Sequence, residues 1–379
     1  MKRNPMAMVL VAGSMLAHQR LKTVSTLLGA VFAVVMANQQ MGIFLALVKK
    51  NTMYVDKAEA DLWVAPAGTR NLQSGKTISR AALYAARATE GVAWAEPLLY
   101  SGGVVQKPDG GSEGVTIIGA QGPRFAGGPW NFVAGDTAAL NQPDAMVFED
   151  GDREKFGGLN IGSAPEVNGN RVRVAGFTWG LIPFGPSYSF GDYSLIERML
   201  HIEPDQTHFV LVGVKPGEDA EKVREALQRR VPDLAVMTKP QFHDAVVNYL
   251  LTQTSIGISF GVTTFFAVLV GFIIVSLSMF SSVVDNLREF GTLKAIGART
   301  RDLAVLLLVQ SLFFASAGTL VGLALVTRMA AGIRSPSLTM QTPPLLFGLT
   351  FVVMTLLCVL ASGLGLWRIK NLEPGMVFR

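Results

Sequence analysis

Four long stretches without a charged side chain set the strongest constraint on this chain. They cover residues 23–48, 256–284, 303–327 and 343–367, and they contain no Asp, Glu, Lys or Arg. Each is longer than the roughly 20 residues that a helix needs to cross the hydrocarbon core of a bilayer. Because only a helix satisfies its own backbone hydrogen bonds in lipid at this length, the pattern predicts four membrane-spanning helices.

The composition of the 379 residues agrees with a membrane protein. Half of the residues are hydrophobic (50%) and only 16% are charged, against about 25% charged in an ordinary soluble protein. The abundance of core-forming residues excludes a disordered chain, and the single cysteine, Cys358, excludes a disulfide-stapled fold. The sequence therefore predicts an integral membrane protein with one large soluble part.

The distribution of basic residues predicts the orientation of the four helices. With a cytoplasmic N-terminus, the inner segments hold eleven basic and four acidic residues, whereas the outer segment 49–255 holds 20 basic and 24 acidic ones. Lys and Arg accumulate in the cytoplasmic loops of membrane proteins. We therefore expect a multi-pass membrane protein with both termini in the cytoplasm. The net charge of +5 then reflects topology rather than nucleic-acid binding.

The predicted fold class is an α-helical membrane protein with four transmembrane helices in a 1+3 arrangement. A large α+β extracytoplasmic domain is inserted between helices one and two. The expected segments are an N-terminal interfacial helix on the cytoplasmic side at 1–22, helix one at 23–48, the inserted domain at 49–255, helix two at 256–284, a cytoplasmic loop at 285–302, helix three at 303–327, a short outer loop at 328–342, helix four at 343–367 and a cytoplasmic tail at 368–379.

The inserted segment is long enough to form its own core. Strand-like runs occur at 61–65, 114–119, 145–148, 172–177 and 209–214, and helix-like runs at 79–89 and 218–230. The run 209–214, a Pro-Gly turn, the helix 218–230 and the run 234–238 have β-α-β spacing. A last helix at about 239–251 is expected to continue directly into helix two. The aromatic segment 176–193 is either a partner-facing loop or a set of turns with inward-packed aromatics, and we favour the second.

No pattern in the sequence predicts catalysis or nucleotide binding. Gly75-Lys76-Thr77 resembles the end of a phosphate-binding loop, but the first glycine of that motif falls on Arg70. The four histidines are not spaced as metal ligands, and no nucleophile motif is present. We therefore expect that this chain is not an enzyme and that it binds no cofactor, metal or nucleic acid.

Three consecutive polar side chains, Asn38, Gln39 and Gln40, lie inside the first predicted span. Polar groups at this depth are costly and usually face another helix or a water-filled path. Interhelical hydrogen bonding is the favoured interpretation, and a place on a transport path is the alternative.

Pairs of small residues predict where helices approach each other closely. Gly257 and Gly261 are four residues apart, as are Gly318 and Gly322. This small-xxx-small spacing allows two backbones to come near each other in a membrane. We expect both pairs to serve helix packing.

The cytoplasmic loop carries the most informative motif. From Arg288 to Gly297 it reads Arg-Glu-Phe-Gly-Thr-Leu-Lys-Ala-Ile-Gly. Phe290, Leu293 and Ile296 recur at helical spacing with polar residues between them, and Gly297 is placed to end a helix. The spacing therefore predicts a short amphipathic helix. A positive-inside signal alone explains the charges of this loop but not the order of its residues.

At these residues the chain resembles the MacB/FtsX-type ABC permease family. The family pattern is close to R-E-[aromatic or aliphatic]-[GA]-x-L-K-A-[ILM]-G, and the order of one span, a large outer insertion and three spans is similar too. DevC-type exporter permeases look nearest, since the segments 61–64 and 254–257 resemble theirs. Those proteins usually have Glu-Tyr-Ala-Thr-Leu-Lys where this chain has Glu-Phe-Gly-Thr-Leu-Lys at 289–294, so no single member's substrate is carried over.

The resemblance implies a role for the loop. Its helix would be the coupling helix that docks on a separate ABC ATPase dimer, which holds the ATP and Mg²⁺. Phe290, Leu293 and Ile296 are expected to make apolar contacts with the ATPase, and Gly291 to permit close approach. The remaining motif residues, which set register, pair polar groups or end the helix, are Arg288, Glu289, Lys294 and Gly297.

The resemblance also implies partners. A permease with one copy of the motif is expected to form a homodimer. Its outer domain would move a lipid, glycolipid, peptide or drug through a periplasmic adaptor (a membrane fusion protein) and an outer-membrane channel, with membrane lipids around it. The alternative is an FtsX-like, non-transporting mechanotransmitter that regulates a periplasmic cell-wall hydrolase. The length of the insertion favours the exporter.

Overall fold

The computed structural model describes residues 5–73, 75–183, 185–295, 297–333 and 340–370. These residues form two compact units. A helical unit takes residues up to 45, residues 258–333 and residues from 340 onwards, and a sheet unit takes residues 46–257.

Ten α-helices are present in the described residues. They are α1 (Pro5–His18), α2 (Arg20–Lys57), α3 (Ala81–Arg87), α4 (Tyr193–Leu200), α5 (Ala220–Arg230), α6 (Lys239–Thr252), α7 (Ser255–Asp285), α8 (Leu287–Ala295), α9 (Thr300–Gly332) and α10 (Pro344–Lys370). Four of these helices, α2, α7, α9 and α10, are long and apolar enough to cross a membrane. The prediction of long apolar helices is confirmed, while their 1+3 path through a bilayer stays a prediction.

The helical unit packs around small side chains of α2. Ala30, Ala33 and Val34 of this helix lie in one buried cluster with residues of α7, α9 and α10. The other buried members of the cluster are Val275, Met279, Phe314, Ala315, Met354, Cys358 and Ala361. Helix association in lipid depends on such close van der Waals packing, because the lipid tails are as apolar as the helices.

One of the two predicted glycine pairs serves this packing. A Cβ atom built on Gly318 would lie 2.7 Å from the Cβ of Ala30, and one built on Gly322 would lie 2.6 Å from a methyl of Val34. Gly261 has open space around its Cβ position, and Gly257 faces the backbone of residues just before it in the chain. The prediction therefore holds for the pair on α9, and for the pair on α7 it stays a prediction, since the described residues of the chain place no other helix against Gly261.

Thirteen β-strands are present in the described residues. They are β1 (Leu62–Pro66), β2 (Ile78–Ser79), β3 (Val92–Gln106), β4 (Ser112–Ala120), β5 (Phe132–Ala134), β6 (Ala145–Glu149), β7 (Glu166–Val167), β8 (Asn170–Arg171), β9 (Arg173–Thr178), β10 (Tyr188–Asp192), β11 (Gln206–Thr207), β12 (Phe209–Val214) and β13 (Leu234–Thr238). Eleven form one mixed sheet in the order β13-β1-β12-β3-β4-β10-β6-β9-β5, in which β7 also pairs with β3 and β8 pairs with β7. The strands β2 and β11 pair separately.

The predicted β-α-β segment is present with one strand inserted. The strands β12 and β13 both pair antiparallel with β1, so β1 lies between them. The connecting helix α5 begins where the Asp219 carboxylate accepts a hydrogen bond from the Glu221 N–H at 2.9 Å, a usual N-cap arrangement. Its buried side chains, Val223 and Leu227, pack with α3 and the sheet in one apolar core. A second core lies under α4.

The aromatic segment 176–193 packs inward, as favoured from the sequence. Phe177, Tyr188, Phe190 and Tyr193 are buried, whereas Trp179 is 42% exposed. Phe184 lies outside the described residues. The segment consists of the end of β9, a connection and the central strand β10, so most of its aromatics are core residues rather than a partner-facing loop.

Helix α6 does not continue directly into α7. It begins with a capping box, in which Thr238 and Gln241 exchange side-chain to backbone hydrogen bonds of 3.0 and 3.4 Å. It ends at Thr252, and α7 begins at Ser255. The expectation of one continuous helix is therefore wrong, because two non-helical residues separate the two helices.

Candidate functional site

The predicted amphipathic helix of the cytoplasmic loop is α8. The apolar helix α7 ends at Asp285, and a turn at Asn286 redirects the chain into α8. The Phe290 N–H donates to the Asn286 carbonyl oxygen at 2.9 Å, which makes the first turn of α8. A helix of nine residues is marginal on its own in water, so its position depends on what it packs against.

The C-terminal end of α8 has the geometry expected from the sequence. Gly297 has φ +99°, the left-handed region that favours glycine. Its N–H donates to the Lys294 carbonyl at 3.0 Å, and the Ala298 N–H donates to the Leu293 carbonyl at 2.9 Å. This pair of hydrogen bonds is the Schellman arrangement. The prediction that Gly297 ends the helix is confirmed.

The orientation of α8 differs from the expectation for Phe290. This side chain is 1% exposed and lies in a buried cluster with residues of α1, α7 and α9. Gly291 is buried and Leu293 is half-buried on the same side. The other buried members of the cluster are Ala12, Val283, Leu303, Leu306 and Leu307. The expectation that Phe290 faces an ATPase is therefore wrong: its ring is enclosed by the chain's own helices, which hold α8 in place.

The surface that α8 offers is polar. Arg288, Glu289 and Thr292 are exposed. Thr292 follows Glu289 by three residues and Arg288 by four, and these spacings place residues on the same side of a helix. Lys294 is half-buried. Ile296 lies outside the described residues. Of the predicted motif residues, Arg288 and Glu289 are thus at the surface and Phe290 points inward.

Two polar contacts fix the corner between α7 and α8. The Gln19 side-chain amide donates to the buried Asn286 amide oxygen at 2.6 Å, across 267 residues of sequence. Lys22 forms an ion pair with Asp285. Sequence analysis missed this anchor, because neither Gln19 nor Asn286 belongs to a motif.

The polar residues inside α2 separate into two kinds. Asn38 is 1% exposed, and its amide oxygen accepts a hydrogen bond from the Thr350 hydroxyl of α10 at 3.1 Å. Its amide nitrogen donates to the Val34 carbonyl at 2.8 Å. Gln39 and Gln40 are half-buried. For Asn38 the structure therefore supports interhelical hydrogen bonding, which was the favoured interpretation.

In the sheet unit, the end of α2 and helix α6 pack on the same aromatic face. Tyr54 of α2 is fully buried, and its hydroxyl donates to the Gly127 carbonyl at 2.5 Å. Phe242 of α6 packs edge-on against Trp63 of β1, with ring centroids 5.1 Å apart. A hydrogen bond of 2.8 Å joins His243 of α6 to Asp56 of α2. The two helix ends are thus connected to the sheet and to each other.

Buried titratable groups lie beside this face. Burial raises the pKa of Tyr100 to about 12 and raises that of Tyr188 well above its usual value, so both hydroxyls stay uncharged at neutral pH. Burial also lowers the pKa of His208, whose Nδ1 accepts a hydrogen bond from the Tyr100 N–H at 3.4 Å. Among the described residues, no group of three His, Cys, Asp or Glu side chains is arranged to hold a metal ion.

Comparisons with known proteins match both the sheet domain and the helices that follow it. The chain matches the family model described as MacB-like periplasmic core domain over residues 23–230 and the model described as FtsX-like permease C-terminal over residues 261–374. It is 33% identical over 141 residues to an uncharacterized ABC transporter permease of Methanocaldococcus jannaschii. That match covers 34% of this chain and 33% of the relative, so it spans about a third of the relative's length.

Two solved structures are also similar. The extracellular domain of the noncanonical ABC-type transporter YknZ from Gram-positive bacteria aligns at 14% identity and a TM-score of 0.35, covering 47% of this chain and 99% of that one. The periplasmic region of MacB from Actinobacillus actinomycetemcomitans aligns at 15% identity and a TM-score of 0.39, covering 51% of this chain and 96% of that one.

The long apolar helices, the α+β domain between the first two of them and the family matches define a permease subunit of an ABC transporter. The chain belongs to the MacB/FtsX-type permease family.

Proposed function

We propose that this chain couples ATP hydrolysis by a separate ATPase dimer to movement of its extracytoplasmic domain, and so exports or extracts a hydrophobic or amphipathic substrate. In this proposal the chain works as a homodimer in the bacterial inner membrane, with both termini in the cytoplasm. A periplasmic adaptor and an outer-membrane channel complete the export path. The ATP and Mg²⁺ belong to the ATPase.

The observation that carries the proposal is the construction of α8. Its apolar side is fixed to the chain's own helices through Phe290, and the Asn286 corner is tied to Gln19. Its charged side, with Arg288 and Glu289, is exposed. A short helix that is firmly attached on one side and polar on the other can transmit a push from a docked partner to the helices that hold it. We therefore assign docking of the ATPase to the charged side of α8. This assignment replaces the apolar contact with the ATPase that the sequence predicted for Phe290.

A co-purification experiment tests this proposal. The tagged full-length chain is isolated from native membranes, its partners are identified by mass spectrometry and ATPase activity is measured. Charge reversal at the docking surface, Arg288→Glu with Glu289→Lys, is expected to weaken ATPase association about tenfold or more, because like charges placed together at an interface are unfavourable. Arg328→Glu on α9, an exposed charge outside α8, is the matched control and is expected to change nothing.

The identity of the other partners separates the exporter from its alternative. Recovery of an ATPase with a periplasmic adaptor supports export. Recovery of an ATPase with a cell-wall hydrolase or its activator supports the FtsX-like role instead. Recovery of no ATPase, or association that is unaffected by the double reversal, contradicts the docking assignment of α8.

A further inference from the structure

The sheet unit contains a cavity that is lined by two helices, the sheet and a loop. It has a volume of about 180 Å³. Helix α2 contributes Asn51, helix α6 contributes Tyr249, and the sheet contributes Tyr100 and Tyr188. A loop after β1 contributes Asn71 and Gln73. Ligand pockets for drug-sized molecules occupy about 300–1,000 Å³. This cavity is therefore the size of a headgroup rather than of a whole ligand.

The chemistry of the lining is amphipathic and uncharged. Tyr100 and Tyr188 are buried, and their rings pack edge-on with centroids 6.2 Å apart. The polar lining is made of side-chain amides and hydroxyls, from Asn51, Asn71, Gln73 and Thr254, and the described residues lining the cavity include no Asp, Glu, Lys or Arg. A ligand charge placed here would lose water without gaining a countercharge, which is unfavourable. An uncharged group with several hydrogen-bonding atoms would keep its hydrogen bonds and pack on the aromatic rings.

Two residues that line the cavity are close in sequence to the predicted membrane spans. Asn51 lies three residues after the end of the first predicted span, within one continuous helix, so about 5 Å of helix axis separates it from Val48. Ile256, which also lines the cavity, is the first residue of the second predicted span. In the proposed topology, the cavity is therefore next to the outer surface of the membrane, where the headgroup of an amphiphile lies.

We infer that this cavity binds the uncharged, hydrogen-bonding headgroup of a membrane amphiphile. The occupant is either the transported substrate or a resident bilayer lipid, and both present the same chemistry. Because α2, α6 and the sheet all line the cavity, binding there favours the arrangement of these three elements that encloses the headgroup, and their movement changes the affinity reciprocally. This inference rests on the proposed function for its link to transport, but not for the binding itself.

The test uses the full-length protein in phosphatidylcholine nanodiscs. Two photoactivatable probes share one alkyl tail with a diazirine next to the headgroup, and they carry either a glucosyl or a phosphate headgroup. Labelled peptides are identified by mass spectrometry. The glucosyl probe is expected to label peptides that contain Tyr249 or Gln73 at least about tenfold more than the phosphate probe does, since an unpaired charge is excluded from such a pocket.

A charge placed at the exposed rim gives the decisive comparison. Gln73→Lys is expected to raise labelling by the phosphate probe about threefold to fivefold, the range of an exposed ion pair. The same variant keeps labelling by the glucosyl probe within about twofold, which also shows that the domain is folded. Gln142→Lys, at another exposed position of the same unit outside the cavity, is the matched control and is expected to behave like the unchanged protein.

Equal labelling by the two probes, labelling confined to other peptides, or no response to Gln73→Lys beyond that of the control would overturn the inference. Lipid extraction and ATP addition then distinguish the two sources. An uncharged lipid that co-purifies and stays bound when ATP and the ATPase are added identifies a resident lipid, whereas ATP-dependent loss of the glucosyl probe identifies cargo. If no ATPase co-purifies but labelling follows the expected pattern, the proposed function fails and the binding site stands.

Discussion

Replacement of Phe290 tests whether this side chain holds α8 against the chain's own helices or contacts the ATPase. The ring is 1% exposed and is surrounded by apolar side chains of α1, α7 and α9. Removal of a buried Phe side chain costs about 3–5 kcal/mol. We expect Phe290→Ala to lose about 3 kcal/mol of the free energy that holds α8 against these helices, because a nine-residue surface helix can partly settle into the space.

Hydrogen exchange measures this loss directly. A loss of 3 kcal/mol raises the population of the detached helix roughly a hundredfold, since about 1.4 kcal/mol corresponds to a factor of ten. The amides of α8 are therefore expected to exchange about a hundredfold faster in Phe290→Ala, in the full-length protein without its ATPase. Amides of β12 in the sheet unit provide the internal reference and are expected to be unchanged.

The matched variant is Glu289→Ala, one position away on the exposed side. It is expected to leave exchange in α8 within about threefold, because exposed substitutions usually change stability by less than about 0.5 kcal/mol. The reasoning is refuted if Phe290→Ala leaves exchange in α8 unchanged while it weakens ATPase association. That result would mean that the ring faces the partner.

Three further changes test the packing and the pH response. Gly297→Ala places a side chain at φ +99° and is expected to destabilise the end of α8 by about 1–2 kcal/mol, seen as faster exchange there but not in Gly261→Ala, whose Cβ position is open. Gly322→Leu is expected to lower the thermal unfolding temperature in detergent by overpacking against Val34, at a cost of about 1–3 kcal/mol, and an equal loss in Gly348→Leu, where the Cβ position is open, would contradict this. Burial lowers the pKa of His208, so the unfolded chain binds a proton more readily than the folded one below the ordinary value of 6.5. The free energy of unfolding of the sheet unit, followed by tryptophan fluorescence, is therefore expected to fall as the pH is lowered from 7 to 5, and a slope unchanged in His208→Phe would assign the effect to other groups.

Features set by local physics could be predicted from the sequence. The long apolar helices follow from the length of the stretches that lack charged residues. The end of α8 follows from Gly297, because glycine adopts a backbone conformation with positive φ without steric cost. The strand 209–214 and the strand 234–238 match β12 and β13 residue for residue. In each of these cases the residue pattern of one short segment determines the local structure.

Features set by distant partners could not be predicted. The Phe290 side chain points inward because it packs with Ala12 and with residues of α9. Asn286 is held by a hydrogen bond from Gln19, which lies 267 residues away in the sequence. An amphipathic pattern shows that a helix has two sides, but not which of its apolar residues face the same chain and which face a partner. The cavity has the same origin, since α2, a loop, the sheet and α6 must fold before it exists.

The two segments that lead from the predicted spans into the sheet differ in continuity. Helix α2 is a single helix of 38 residues, about 57 Å long at 1.5 Å per residue, and its Tyr54 is fixed in the aromatic face of the sheet. Helices α6 and α7 are instead separated by Gln253 and Thr254, which are not helical. A continuous helix can transmit tilt and axial rotation along its length, whereas α6 and α7 are two separate helices. In the proposed function, α2 is therefore the uninterrupted path from the first predicted span to the sheet, whereas Gln253 and Thr254 interrupt the path from the sheet to the second predicted span.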